Sequence, residues 1–359
     1  MRIYLDHNAT SPLRETARKA MLAAWELSGN ASSVHAEGRQ AHALLDDARE
    51  AVARALGAIA PMVVFTSGGS ESNNLALKGA PVRRLIVSAV EHPSVLEAAQ
   101  ASGKHVDVVP VDGLGIVDLF ALDQLLARGP KALVSVMLAN NETGVIEPLR
   151  DVVAVAHKHG SLVHCDAVQA FGKIAVNFGL LGVDTLSVSA HKLGGPLGSG
   201  ALVIRDGLAL YPLIHGGGQE LRRRAGTENI AAISGFAAAA QEKILEIKSL
   251  RNHLESGLEG AVIFGAEAER LPNTSCFAVP GLTAETALMA LDLAGFAVSS
   301  GSACSSGKVA KSHVLAAMGV KPDLAGSAIR VSLGWTTTAQ EIEQFISAWA
   351  KLIARRKAA

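Results

Sequence analysis

Short apolar, β-branched runs recur along the chain at 62–66, 84–89, 106–111, 132–139, 162–166, 185–190 and 201–205, and each has the length and composition of a buried strand. Amphipathic stretches such as 149–159 lie between several of them. This alternation predicts an α/β sheet that is largely parallel and covered on both faces, a fold class that binds ligands at the carboxyl ends of its strands. From about Gly235 the pattern becomes Ala-rich and charged, and 236–253 is expected to form one long helix joining two domains. The expected division is a large domain at 12–245 and a smaller α+β domain at 246–359 that also takes in 1–11. A last helix is expected at 338–356, and a short β-like run at 328–333.

Composition narrows the function classes. The 33 basic residues balance the 33 acidic ones, so no net field draws the chain to nucleic acid or a membrane surface, and a small ligand is expected. No segment approaches roughly 18 uninterrupted apolar residues, and the N-terminus has no signal-peptide pattern. Three cysteines, Cys165, Cys276 and Cys304, are too few and odd in number for a disulfide framework, which suits a cytoplasmic setting.

Three strand ends carry candidate chemistry. Ser67-Gly-Gly-Ser-Glu-Ser-Asn-Asn lies between a strand and a helix; its glycines, with Gly69 among them, its hydroxyls, including Ser70, and the helix N-terminus suit a phosphate, although an N-capped turn has the same composition. It is not a P-loop, because no Gly-Lys-Ser/Thr follows. The run 162–166 ends in His164-Cys-Asp-Ala-Val-Gln. Asp166 there is either a helix cap or a counterion for a protonated ring nitrogen, and Gln169 could offer an amide to a nearby oxygen. The next strand ends in Ser189-Ala-His-Lys, before a glycine-rich turn. Desolvation at such a strand end lowers the pKa of Lys192 and frees its amine for a Schiff base, the way pyridoxal phosphate is held. A lone loop lysine is usually just solvated, but the order of cradle, Asp and His-Lys argues for a site.

With these motifs the chain resembles the NifS/IscS-type cysteine desulfurases, in the class V aminotransferase group of fold-type I pyridoxal-phosphate enzymes. The resemblance extends to Leu5-Asp-His-Asn-Ala-Thr, Gly29-Asn-Ala-Ser-Ser-Val-His, Glu91-His-Pro, Asn140-Asn-Glu-Thr-Gly, Gly216-Gly-Gly-Gln-Glu, Arg224-Ala-Gly-Thr-Glu-Asn, Ser299-Ser-Gly-Ser-Ala-Cys and Ile329-Arg-Val-Ser-Leu-Gly. It implies a mainly parallel seven-stranded sheet, Lys192 as the Schiff-base lysine, Asp166 paired with the pyridinium nitrogen and His92 stacked on the ring. It further implies that Gln169 and Asn141 contact the ring hydroxyl or the substrate, with Asn30 also on the substrate. Ser70, Gly69, Ser189 and His191 would hold the phosphate, completed by Thr227 across a homodimer interface.

Arg330 could clamp a substrate carboxylate, its bland alternative being a surface ion pair. Cys304 stands in the small-residue run Val298-Ser-Ser-Gly-Ser-Ala-Cys-Ser-Ser-Gly-Lys, while Cys165 and Cys276 lie in apolar runs that bury inert thiols. The implied reaction converts L-cysteine to L-alanine and leaves the sulfur on Cys304 as a persulfide, passed to a protein acceptor such as an iron–sulfur scaffold; no metal site is expected. A selenocysteine lyase or a small-amino-acid aminotransferase is the alternative on the same fold, the Cys304 run weighing against the second. The chain departs from the family pattern at Ser70, where threonine is commoner, at Ala31 in place of proline, and at 221–223, which lacks a glycine. Its short C-terminal tail leaves the acceptor open.

Overall fold

The computed structural model describes residues 2–244, 246–300 and 311–358. Its strands are β1 (Ile3–Tyr4), β2 (Val63–Thr66), β3 (Arg84–Ser88), β4 (His105–Val109), β5 (Leu133–Ser135), β6 (Leu162–Asp166), β7 (Thr185–Ser189), β8 (Gly200–Ile204), β9 (Val262–Ile263), β10 (Thr274–Ala278), β11 (Phe296–Ala297), β12 (Ser299–Ser300) and β13 (Ile329–Ser332). A seven-stranded sheet runs in the order β2-β8-β7-β6-β5-β3-β4. Only β8 opposes its neighbours; β3, β4, β5, β6 and β7 pair in parallel, and β2 shares their direction because it too is antiparallel to β8.

The period-2 alternation of strand side chains divides this sheet's residues between two cores. Phe65, Ile86, Val134, Val163, Leu186 and Val203 join one buried cluster, whereas their neighbours Val64, Leu85, Val87, Leu133, Leu202 and Ile204 join another. Both faces are therefore dry, which is why the strands read as continuous apolar runs. Helices α1 (Glu15–Trp25) and α2 (Ala36–Ala55) pack against the helix Ile230–Ala240, and α3 (Gly69–Gly79) packs against α4 (Pro93–Gln100).

A four-stranded antiparallel sheet, β12-β13-β10-β9, stands apart from it in hydrogen bonding, and β1 pairs in parallel with β11. Its apolar side is closed by Phe277, Trp349, Phe345 and Phe296 together with Ile3 and Leu5 of the N-terminal segment; two T-shaped ring pairs, Phe277–Trp349 and Phe296–Phe345, have centroids 5.2 and 5.3 Å apart. The last helix, Ala339–Ala358, opens on a capping box: Thr338 N donates to Glu341 Oε2 at 2.8 Å and Glu341 N to Thr338 Oγ1 at 3.3 Å.

Two expected elements are corrected. The single helix at 236–253 is two helices, Ile230–Ala240 and Lys248–Ser256. The first is almost wholly buried; at Gln241 the chain turns polar, and Glu242 ties the break to α1 through Thr16 Oγ1 at 2.6 Å and Arg14 at 3.3 Å. The strand expected at 106–111 stops at Val109, because Pro110 has no N–H to continue the ladder. At 221–223, where a glycine is missing, Glu220, Leu221 and Arg222 take φ of 48°, 54° and 63°. This left-handed turn is held by buried Glu220, which accepts from Arg49 at 2.6 and 2.8 Å and from Phe65 N at 2.8 Å. No helix among the described residues is long and apolar enough to cross a membrane.

Candidate active site

Because β2, β3, β5, β6 and β7 run the same way, the chain emerges from all of them at one edge of the sheet, and that edge holds a cavity of about 300 Å³. Gly69 and Ser70 reach it from the turn after β2, His92 from the turn after β3, Asn141 from the segment after β5, Asp166 and Gln169 from the end of β6, and Ser189, His191 and Lys192 from the end of β7. Arg330 of β13 closes it from the smaller sheet. Asn30 and Thr227 are exposed and do not line it. Cys304 lies outside the described residues, as does its run from 301 to 308.

The wall formed by Gly68 and Gly69 is a backbone cradle. Gly68 has φ of 153° and heads α3 without a side-chain cap; a Cβ on Gly69 would fall 2.7 Å from Val168 Cγ2. Glycine spares Val168 that contact, and the first N–H groups of α3 remain for an anion. Ser70 and Ser189 add hydroxyls.

Asp166 is 5% exposed at the cavity floor. Its Oδ2 accepts from Asn73 Nδ2 at 2.7 Å and its Oδ1 from Val168 N at 2.9 Å, so it both caps the following turn, the bland role weighed for it, and presents a carboxylate to the cavity. Lys192 follows β7 in a single 3₁₀ turn, and its Nζ donates to the carbonyls of Asn8 at 2.6 Å and Ala9 at 2.8 Å. His92 caps α4: its Nδ1 accepts from Ser94 N at 3.1 Å, and burial lowers its pKa against the pull of Asp166. Burial, with Lys192 and Lys173 adding repulsion, lowers His191 to about 4 and keeps it neutral near pH 7.

Arg330 is not a surface ion pair. It is 2% exposed, and its guanidinium donates to the Asn141 carbonyl at 2.9 Å and to Asp6 Oδ1 at 2.8 Å. Cys165 and Cys276 are fully buried, and burial pushes both thiols well above their usual range.

Several residues of the site carried no sequence signal strong enough to single them out. Asn8 is a hub: its Oδ1 accepts from Lys173 Nζ at 2.7 Å and its Nδ2 donates to Thr274 Oγ1 at 2.9 Å. Lys173 also donates to Gln169 Oε1 at 2.6 Å. That bond turns the Gln169 amide so that its Nε2 donates, to the Asn8 carbonyl at 2.9 Å. Burial drives the Lys173 pKa well below the usual lysine range, with Lys192 and Arg330 adding repulsion. Lys173 stands four residues after Gln169, a spacing that could have flagged the pair.

A profile of the aminotransferase class-V family matches residues 3–345. The chain is 41% identical over 372 residues to the cysteine desulfurase IscS of Dictyoglomus turgidum, covering 98% of this chain and 94% of the relative. Among solved structures, a NifS-like protein from Rickettsia africae superposes with a TM-score of 0.91 at 36% identity, covering 99% of this chain and all of that one. SspA in complex with cysteine superposes with a TM-score of 0.83 at 31% identity, covering 93% and 99%. That family depends on pyridoxal phosphate, and the residues here suit it: a glycine cradle for a phosphate, a buried carboxylate on the floor and a lysine at a strand end. By profile, relatives and fold together, the chain belongs to the class-V aminotransferase family, among its NifS/IscS-type cysteine desulfurases.

Proposed function

We propose that this chain is a cysteine desulfurase that holds pyridoxal phosphate in the cavity and takes sulfur from L-cysteine. The observation that carries the reading is the meeting of Lys192, Asp166 and Arg330, from two different sheets, around one cavity. When bound, the cofactor supplies an electron-accepting ring next to the amino acid's α-carbon.

The chain's own residues divide the remaining work. Lys192 would hold the cofactor through its amine, and the same amine would move the substrate's α-proton. Asp166 would pair with the ring nitrogen and His92 would stack on the ring, while Gln169 and Asn141 would donate to the ring hydroxyl or the substrate. Gly69, Ser70, Ser189 and His191 hold the phosphate, with Thr227 of the partner subunit completing it in a homodimer. Arg330 grips the substrate carboxylate through two parallel hydrogen bonds. The Cys304 thiolate forms a bond to the substrate sulfur as the carbon–sulfur bond breaks, so cysteine leaves as alanine and Cys304 carries a persulfide. A protein acceptor such as an iron–sulfur scaffold then takes the sulfur.

The exposed position of Asn30 within one chain gives a substrate role no support of its own. We read 12–245 as the large unit and 246–359 with 1–11 as the small one, a division supported by the pairing of β1 with β11. We read its setting as the cytoplasm, where a thiol that must accept sulfur stays reduced between turnovers. The test is to incubate the protein, loaded with pyridoxal phosphate, with cysteine and a thiol reductant, and to quantify alanine and sulfide together. Equal amounts of both are expected; pyruvate and ammonia, or a keto acid without sulfide, would contradict the reading.

A further inference from the structure

The floor of the cavity is wired to groups behind it by a chain of hydrogen bonds whose direction is fixed by chemistry. A carboxylate only accepts, so the Asn73 group 2.7 Å from Asp166 Oδ2 is the Nδ2 amide. Its other hydrogen reaches Ser94 Oγ at 2.9 Å. Asn73 Oδ1 therefore faces His164 Nε2, 3.1 Å away, and that nitrogen must carry a proton. His164 is fully buried, and burial lowers it to about 3, so the ring is neutral and its Nδ1 is an acceptor. Thr185 Oγ1, 2.9 Å from Nδ1, is then the donor that ends the chain. On the other branch His92 Nδ1 accepts from Ser94 N at 3.1 Å and so carries no proton, which makes Ser94 Oγ, 2.8 Å away, a second donor to it. His92 is thereby set as the tautomer with its proton on Nε2.

We propose that Asn73 is a positioning residue, locked by His164 and Thr185, whose single amide aims Asp166. The proposal rests on reading the cavity as the cofactor site. With one oxygen of Asp166 committed to Asn73 and the other to Val168 N, the carboxylate cannot rotate, and its remaining lone pairs keep one direction. Without the lock, the Asn73 amide could turn over and present an oxygen to a carboxylate, which repels it.

The test is titration of purified, cofactor-free protein with pyridoxal phosphate, read by visible absorbance across pH, with melting temperature as the control for folding. Asn73→Asp keeps the shape but replaces the donor by an acceptor. It is expected to raise the cofactor dissociation constant by about tenfold or more, the loss typical of a hydrogen bond to a charged group. Thr185→Val removes only the distant hydroxyl and is expected to raise the constant about threefold, with Thr185→Ser restoring it. Both weakened variants should also move the pH at which the visible band changes. A merely structural role would lower the melting temperature of Thr185→Val and leave the constant and the pH profile alone, and that result overturns the proposal. Should Thr185→Val fail to fold, Asn73→Asp decides by itself, wild-type binding and pH profile overturning the relay. Wild-type protein that takes up no cofactor would overturn the cofactor reading and the relay with it, whereas normal uptake by wild type and variants alike would overturn the relay alone.

Discussion

Arg330 donates through Nη2 to Asp6 Oδ1 at 2.8 Å from a side chain only 3% exposed. The pair joins β13 to the N-terminal segment, and the same guanidinium reaches the Asn141 carbonyl through Nη1. Arg330 also lines the cavity, where a guanidinium suits an incoming carboxylate. Arg330→Ala is expected to raise the cysteine KM by about tenfold or more and to change kcat less, since on the proposed reading the lost contact would hold the substrate in ground and transition states alike. Steady-state alanine production at varied cysteine checks it; an unaltered KM would mean that another group holds the carboxylate.

On the proposed reading Lys192 and Asp166 serve the cofactor in different ways, so their variants are expected to fail differently. Lys192→Ala should abolish both the visible band of the loaded protein and turnover. Asp166→Ala should still develop a band but lose the cofactor on dialysis and turn over at least about a hundredfold more slowly, as expected when a charge-assisted bond is removed and the ring withdraws fewer electrons. Absorbance before and after dialysis, with single-turnover kinetics, separates the two.

Thr227 is exposed on the isolated chain, and its assigned role requires a second subunit. Mixing Thr227→Val protein with Lys192→Ala protein, each impaired alone, should recover activity after subunit exchange, because one site of the mixed dimer then has both residues intact. Sedimentation should give a dimer. A fully active monomer would contradict the shared site.

The pH dependence of stability offers a check that is independent of catalysis. Glu147 is 3% exposed, and burial raises its carboxyl to about 8 against the Val117 N–H that favours the charged form at 3.0 Å. Its folded pKa lies above the unfolded value of 4.5, so between the two the folded chain keeps a proton that the unfolded chain has released. That contribution is complete below the unfolded pKa and is lost as pH rises through the folded one. Glu147→Gln keeps an acceptor for Val117 and removes the ionisation. Its melting temperature is expected to gain on wild type by on the order of a few degrees between about pH 5 and pH 8.5, and a pH-independent difference would show that Glu147 is already ionised.

Much of this site was legible in the sequence because its residues stand at strand ends, where a polar side chain interrupts an apolar run: Asp166 after 162–165 and Lys192 after 185–190 are of that kind. The relay behind them was not. His164 and Asp166 are two apart in β6 and so share a face, with Cys165 on the other, yet that alternation alone does not say that Asn73, on a helix ninety-odd positions earlier, bridges both. Asn8 escaped for a similar reason, since its role depends on the N-terminal segment crossing to Lys173 and Thr274. The break between Ile230–Ala240 and Lys248–Ser256 was hidden by strong helix formers on both sides of it.

The most direct test of the account follows the sulfur itself. Wild type, Cys304→Ser, Cys165→Ser and Cys276→Ser are loaded with pyridoxal phosphate, treated with cysteine, alkylated, and digested, and the persulfide is located by peptide mass. The account predicts persulfide on Cys304 in wild type and in the other two variants, whose buried thiols are held protonated. Cys304→Ser should still bind cysteine and shift the visible spectrum, but form neither persulfide nor alanine at the wild-type rate, because a serine hydroxyl is a poor nucleophile toward sulfur. Persulfide on Cys165 or Cys276, or undiminished alanine formation by Cys304→Ser, would contradict it.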